Sequence, residues 1–234
     1  MNLIQKGHRH THRGIIGVES AIVLIAFVIV AAALAFVVLN MGFSTTQKAK
    51  TTIVSTLAEA GSSIEIEGKV IGSSYQPGGG VPSSLNVTSF PIKIAGSGDS
   101  VNLDPALTAI KYLSNTITYD DIYAGTLNTQ VPPIYSQLET AVQAAENALY
   151  ITSNPYTDGT WPITTAAFIY WTVQSNTNDI LESGEHANLA IVFASGDRPQ
   201  ELDTIRIEII PPAGASLTIS RQVPNITTEV VDLG

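Results

Sequence analysis

Cysteine is absent from this 234-residue chain. Disulfides, thiolate metal sites and a cysteine nucleophile are therefore excluded. Histidine is nearly as scarce: His8, His10 and His12 crowd the start, and His186 stands alone. Without the opening segment, one histidine could not furnish a Cys–His pair or a zinc cage of the usual ligands. The run from His8 to His12 reads as solvated positive charge. Charge is also thin, at 13% of residues, and lopsided: 11 Lys and Arg face 20 Asp and Glu, for a net charge of −9. That sign argues against nucleic acid as a partner, since phosphate binding needs clustered Lys and Arg. The glycine-rich run at 77–82 lacks the Gly-Lys-Ser/Thr that completes a phosphate-binding loop, and no motif implies a cofactor. With so little charge, much of the surface must be Ser, Thr, Asn and Gln, as suits an exposed assembly.

Long hydrophobic runs are rare too, with one exception. Residues 15–43, IIGVESAIVLIAFVIVAAALAFVVLNMGF, carry one ionisable side chain, Glu19. Ala21 to Leu39 supplies nineteen residues without a charge or a strongly polar group. At ~1.5 Å rise per residue, such a helix crosses the ~30 Å hydrocarbon core of a membrane. It is apolar on every side, so lipid or other protein must surround it. Small residues recur at small-x-x-x-small spacing, Gly17 with Ala21 and Ala31 with Ala35, which favours close helix packing. Residues 43–60 continue the helix into water through Ile53, Leu57 and Ala60, with Gly42 a point of bending and Gly61 a stop.

Three readings of residues 1–14 stand side by side. A secretory signal has a basic start, but its apolar core spans ~7–15 residues before a small-x-small cleavage site, and this run is too long. A permanent anchor would use Lys6, Arg9 and Arg13 to hold the N-terminus in the cytoplasm, a bias that Lys48 and Lys50 weaken. A cut between Gly14 and Ile15 would remove the basic segment and leave the apolar run in the mature chain. Loss of Lys6, Arg9 and Arg13 would take Lys and Arg from 11 to 8 against 20 acidic residues, a net charge of −12.

After Gly61 the period changes from helical to alternating. The spacing predicts strands over 64–71, 85–95, 164–174, 187–194, 204–210, 215–223 and 226–233, separated by turns rich in Gly, Pro, Asn and Asp. Many short strands predict an antiparallel sandwich, so the fold class is α+β: a long apolar helix followed by a β-sandwich. One helix is predicted within it over 132–150, with Ile134, Leu138, Val142, Ala145 and Leu149 on one face. The chain divides into 1–14, 15–61 and 62–234.

Few polar groups point to chemistry. Asp120 with Asp121, and Asp179 with Glu182, could offer oxygen ligands to a hard cation. Neither group has the spacing of an EF-hand loop, and solvated loop acids are the default; no metal is predicted. Two sequons, Asn86-Val87-Thr88 and Asn225-Ile226-Thr227, would take N-linked glycan if the domain lies outside the cell. Glu19 sits near a membrane interface, where it costs less than the ~2.5–3.5 kcal/mol of a charge at the bilayer centre. After cleavage it could pair with the new α-ammonium of Ile15 on a neighbouring copy, fixing stagger more than adding stability.

A basic residue, a glycine, a cut, then an apolar segment with an acid at its fifth position: Arg13, Gly14, Ile15 and Glu19 resemble the class III signal of type IV prepilins and archaellins. The closing residues look like the last strands of archaellins: Leu181–Glu185, Pro211–Gly214, Ile219–Arg221, Pro224 and Asp232–Leu233. The resemblance covers both ends of the chain but not roughly 72–165. It implies a structural protein, not an enzyme, with an immunoglobulin-like β-sandwich facing outward. A prepilin-type membrane aspartic peptidase would recognise Lys6, Arg9 and Arg13 and cut after Gly14. An assembly ATPase and its membrane platform would then draw the precursor from the cell membrane into a helical polymer of identical or related subunits. That polymer would be an extracellular filament on an archaeal cell, rotated by a motor for swimming. A subunit of an adhesive archaeal pilus is the nearer alternative, and a membrane-anchored extracellular binding domain the further one. N-terminal sequencing of the mature protein separates the last: Ile15 is expected, whereas Met1 or Asn2 would mark a retained anchor.

Overall fold

The computed structural model describes residues 13–234 except 62, 77–79, 81, 97, 129–133 and 158; for 13–16 and 58–61 it describes the backbone only. The chain forms two compact units that divide between Ser55 and Thr56. The first consists of the greater part of α1 (Arg13–Gly61), one α-helix of 49 residues. It begins two residues before the expected start and ends at the expected stop. Gly42 is helical like its neighbours. Its preference against helix, ~1 kcal/mol relative to Ala, is outweighed by the Ala, Leu and Met around it.

The second unit holds β1 (Ile64–Ile66), β2 (Ile71–Ser73), β3 (Val87–Ile94), β4 (Val101–Asn102), β5 (Ala109–Leu113), β6 (Thr118–Tyr119) and β7 (Tyr123–Leu127). Then follow α2 (Leu138–Asn147), β8 (Ala166–Val173), β9 (Ile180–Leu181), β10 (His186–Val192), β11 (Thr204–Ile210), β12 (Leu217–Gln222) and β13 (Val230–Asp232). The larger sheet has the order β13-β2-β3-β10-β8-β7, with β1 also paired to β3. The smaller sheet has the order β12-β11-β5-β6, and β4 pairs with β9 alone. The pairing is antiparallel throughout except between β7 and β8.

Alternation along the central strands divides the core into two layers. One face of the larger sheet presents Phe90, Ile92, Ile169, Trp171, Leu189 and Ile191 to Ile110, Tyr112, Ile205, Ile207 and Ile219 of the smaller sheet. The opposite face presents Val87, Phe168, Tyr170, Ala190 and Val192 to Ala141, Val142 and Ala145 of α2. With both faces covered, β8 and β10 read as nearly continuous apolar runs, as buried strands do. The unit is thus a β-sandwich with a helix as its third layer.

Two elements differ from their sequence-based expectation. The strand expected over 64–71 is broken into β1 and β2 at Gly68, whose φ of 99° lies where glycine alone is at ease. Pro91, inside the central β3, fits this break. Its carbonyl accepts the Glu67 N–H at 2.9 Å, so its missing donor falls on the interrupted side, not on the ladder to β10. The helix expected over 132–150 is shorter. Val142 and Ala145 are buried, but Ile134 precedes the helix and Leu149 lies beyond its end, 88% exposed. Strands β4 to β7 and β9 were not expected; most are too short to show a period. Within β7, Gly125 (φ 145°) marks a register shift, and a Cβ there would stand 2.9 Å from the Tyr150 hydroxyl.

The turn that leads from β9 into β10 is held by Glu185, which is 1% exposed. Its Oε1 accepts the Ser175 N–H at 2.7 Å and its Oε2 accepts the Glu182 N–H at 2.9 Å. Alanine here would strand both donors. Glu185→Ala is expected to cost about 3 kcal/mol, and Glu185→Gln less, since one acceptor is kept. Urea unfolding of the detergent-held chain measures this; equal midpoints for wild type and Glu185→Ala would deny the carboxylate its anchoring role.

Candidate functional site

The surface with most to offer another molecule is α1 itself. Every large apolar side chain noted from Val18 to Leu57 is more than half exposed, Phe27 at 76% and Phe43 at 71% among them. Residues 17–57 satisfy length and composition for a membrane span. In that run the ionisable residues are Glu19, Lys48 and Lys50. The polar second half of the helix is less polar than its composition. Thr45, Thr46, Thr51 and Thr52 donate their hydroxyls to Met41, Gly42, Gln47 and Lys48 carbonyls at 2.8–2.9 Å, and Ser55 donates to the Thr52 carbonyl at 3.0 Å. These hydroxyls need no outside partner, so their methyl and methylene groups can pack dry.

Helical geometry sorts the sites predicted on α1. At ~100° per residue, Gly17, Ala21, Ala31 and Ala35 fall within an arc of about 80°, and Glu19 lies on the other side of the helix. Close approach and acidic registration therefore belong to different faces. Gly14 and Ile15 are helical. Lys6 and Arg9 lie outside the described residues, as does the side chain of Arg13.

The acidic residues considered as metal ligands are dispersed into structural duties. Asp120 is an exposed residue 3.6 Å from Lys111. Asp121 accepts the N–H groups of Ile110 and Tyr123 at 3.2 and 3.0 Å. Asp179 accepts from Thr126 and, at 2.6 Å, from Asn128; Glu182 stands 3.5 Å from the Asn178 amide. Among the described residues no three of His, Asp and Glu gather as an ion would require. Burial, with the Asp179 charge nearby, pushes the Tyr123 phenol well above its usual range. It stays protonated and donates to the Leu103 carbonyl at 2.5 Å.

The two sequons part company. Asn225, between β12 and β13, is exposed together with Thr227. Asn86 is 1% exposed. Its amide donates to the Tyr75 carbonyl and accepts the Trp161 indole N–H at 3.1 Å. The Arg198 guanidinium covers Trp161 at 4.4 Å from the ring centroid. The sequence motif could not reveal this cover, because Trp161 and Arg198 reach Asn86 only through the fold. A glycan on Asn86 would break both bonds and displace the lid.

Residues singled out near the end of the chain also prove structural. Arg221 donates from Nε to the Gly234 carbonyl at 2.8 Å, and Lys69 pairs with Asp232. Leu233 is buried, and its N–H donates to the Val70 carbonyl at 2.9 Å. Lys69 and Leu233 fasten β13 to the edge of the larger sheet, and Arg221 of β12 ties the residues after it to the smaller one.

Comparison with known proteins places this architecture. Residues 14–221 match the sequence model of the family described as archaeal-type flagellin. A probable flagellin 1 of Aeropyrum pernix is 32% identical over 213 residues, 91% of this chain and 92% of that protein. The fold is similar to that in the archaeal flagellum of Methanospirillum hungatei, with a TM-score of 0.59 at 24% identity over 93% of this chain and 99% of the other. It is also similar to the crystal structure of archaeal flagellin FlaB1 from Methanocaldococcus jannaschii, with a TM-score of 0.55 at 14% identity over 74% and 96% of the two chains.

Mass spectrometry of peptides from purified filaments is expected to find glycan on Asn225 and none on Asn86. Glycan on Asn86 in folded protein would contradict the buried amide described above. This chain belongs to the archaeal-type flagellins, the structural subunits of the archaeal flagellum.

Proposed function

We propose that the chain is made as a membrane precursor, cut between Gly14 and Ile15, and drawn through α1 into a rotating extracellular filament that serves swimming. The observation that carries this reading is the apolar surface of α1, uncovered from Val18 to Phe43 and again at Ile53, Val54 and Leu57. In the precursor, lipid covers that surface. In the filament, copies of the same helix do. Lipid is already as apolar as leucine, so the exchange is driven by packing and by backbone approach along Gly17, Ala21, Ala31 and Ala35. A helix from Ile15 to Gly61 is about 70 Å long, enough for each copy to overlap several neighbours.

A membrane aspartic peptidase reads Lys6, Arg9, Arg13 and Gly14 on the cytoplasmic side, and an ATPase on a membrane platform drives insertion at the filament base. Cleavage creates an α-ammonium on Ile15. Glu19 of one copy meets that ammonium on the next, which sets the stagger between helices. Glycan on Asn225 adds bulk to the outer surface, and the chain acts as building material rather than as a catalyst.

Blocking the cut tests the sequence of events. Gly14→Val, which puts a β-branched side chain at the scissile position, is expected to leave full-length precursor in the membrane and cells without filaments. Membrane fractionation with N-terminal sequencing reads the outcome; normal processing and normal filaments from this variant would sink the proposal.

A further inference from the structure

Among the described residues, two non-glycine residues have a left-handed backbone: Leu149 (φ 61°) and Leu202 (φ 68°). Both are leucines, and both are exposed, at 88% and 71%. The end of α2 shows why this is unusual. The Tyr150 N–H donates to the Ala145 carbonyl and the Leu149 N–H to the Glu146 carbonyl, both at 2.9 Å. This is the paired bonding of a helix end in which the residue in the Leu149 position is ordinarily glycine. A side chain there strains the backbone, and this one adds almost nothing to the core. Leu202 repeats the situation in the turn from β10 to β11, where its N–H donates to the Val223 carbonyl at 2.9 Å and its carbonyl accepts from Gln222 at 3.2 Å.

The surroundings indicate what would cover them. Ile163, 83% exposed, donates its N–H to the Thr152 hydroxyl at 3.0 Å, which brings it beside the end of α2. From residue 147 to 178 the one charged residue is Asp158. Elsewhere the domain is strongly acidic, with six Lys and Arg against eighteen Asp and Glu from residue 62 onward. A basic partner would be drawn to that acidic surface. A like-charged copy meets least repulsion where acids are few, and Glu146, the acid nearest Leu149 along the chain, accepts from the Gln143 amide at 2.9 Å. The acids flanking Leu202 are turned to internal duties: Glu201 accepts the Ile226 N–H at 3.1 Å, and Asp203 accepts from Asn115 at 3.1 Å and from the Gln200 N–H at 2.8 Å. The two leucines also belong to opposite outer layers, one at the end of α2 and the other at the end of the smaller sheet. A helical polymer needs such a pair of unlike patches, because each subunit meets the next head to tail.

We propose that Leu149 with Ile163 on one side, and Leu202 on the other, are the points at which the outer domain touches neighbouring copies of this chain in the filament. The assignment rests on the polymer reading above. Strain and exposure are tolerated in the single subunit because the side chains are buried on assembly.

Leu149→Gly and Leu202→Gly, made singly in the full chain, separate folding from assembly. In the detergent-held monomer each is expected to raise the melting temperature, by about 2–4 °C for a domain of this size, because glycine relieves the backbone. In purified filaments each is expected to lower the temperature of dissociation, followed by sedimentation. Leu149→Asn, which tolerates the same backbone but is polar, should weaken filaments likewise. Filaments whose dissociation temperature is unchanged or rises with that of the monomer would overturn the proposal. So would a glycine variant whose monomer melts lower, since the side chain would then belong to the fold. A wild-type chain that never forms filaments would defeat the polymer reading together with this one.

Discussion

An apolar helix that its own chain leaves bare governs everything else about this protein. Nineteen large apolar side chains between Val18 and Leu57 are more than half exposed. At ~1.5–3 kcal/mol for each one brought fully out of water, their combined cost is of the order of tens of kcal/mol. Domain stabilities of about 5–15 kcal/mol cannot offset a cost of that size. The helix therefore needs a cover that its own chain does not supply. Its composition suits a dry cover: hydroxyls bonded back to the helix demand no partner, and small residues on one face let another backbone approach. Ionisable groups lie outside the stretch from Ala21 to Phe43, with Glu19 before it and Lys48 and Lys50 after it.

The second unit answers a different demand, which is to present a durable, soluble surface from a chain with little charge and no cysteine. Three layers give it two cores, one between the sheets and one beneath α2. Polar residues act as fasteners. Glu185 ties the turn before β10, Asn86 bridges Tyr75 and Trp161, and Arg221 holds the Gly234 carbonyl. Several of these residues carried the resemblance to archaellins in the sequence. Their shared duty is to close loops and edges, which explains why a structural protein shows sharp local motifs.

Much of the architecture was legible because it depends on local period. The helix from Ile15 to Gly61 shows in its apolar run to Phe43 and in the helical spacing of Ile53, Leu57 and Ala60, and β3, β8, β10, β11 and β12 show in runs of apolar or alternating residues. Legibility failed where an outcome depends on distant neighbours. The residues from Ile64 to Ile71 alternate as one strand, yet the chain breaks at Gly68 opposite Pro91. Leu149 continues the apolar face of α2 by spacing, but the helix ends at Asn147 and the side chain turns to solvent. The sequon at Asn86 looks the same as that at Asn225; only packing separates the buried amide from the exposed one.

Sequence by itself determined the existence and length of α1, the all-round apolarity of its first part, the change to strands after Gly61 and the acidic balance. These follow from composition and from periods of a few residues, which act before any long-range contact forms. Tertiary structure decided which strands share a sheet, that α2 covers the far face of the larger one, that the acids at 120, 121, 179 and 182 lie apart, and that two leucines stand strained in solvent. Those outcomes depend on residues tens of positions apart meeting in space, and no local period records such meetings. What surrounds α1 lies outside both, because an apolar surface specifies only that it be covered.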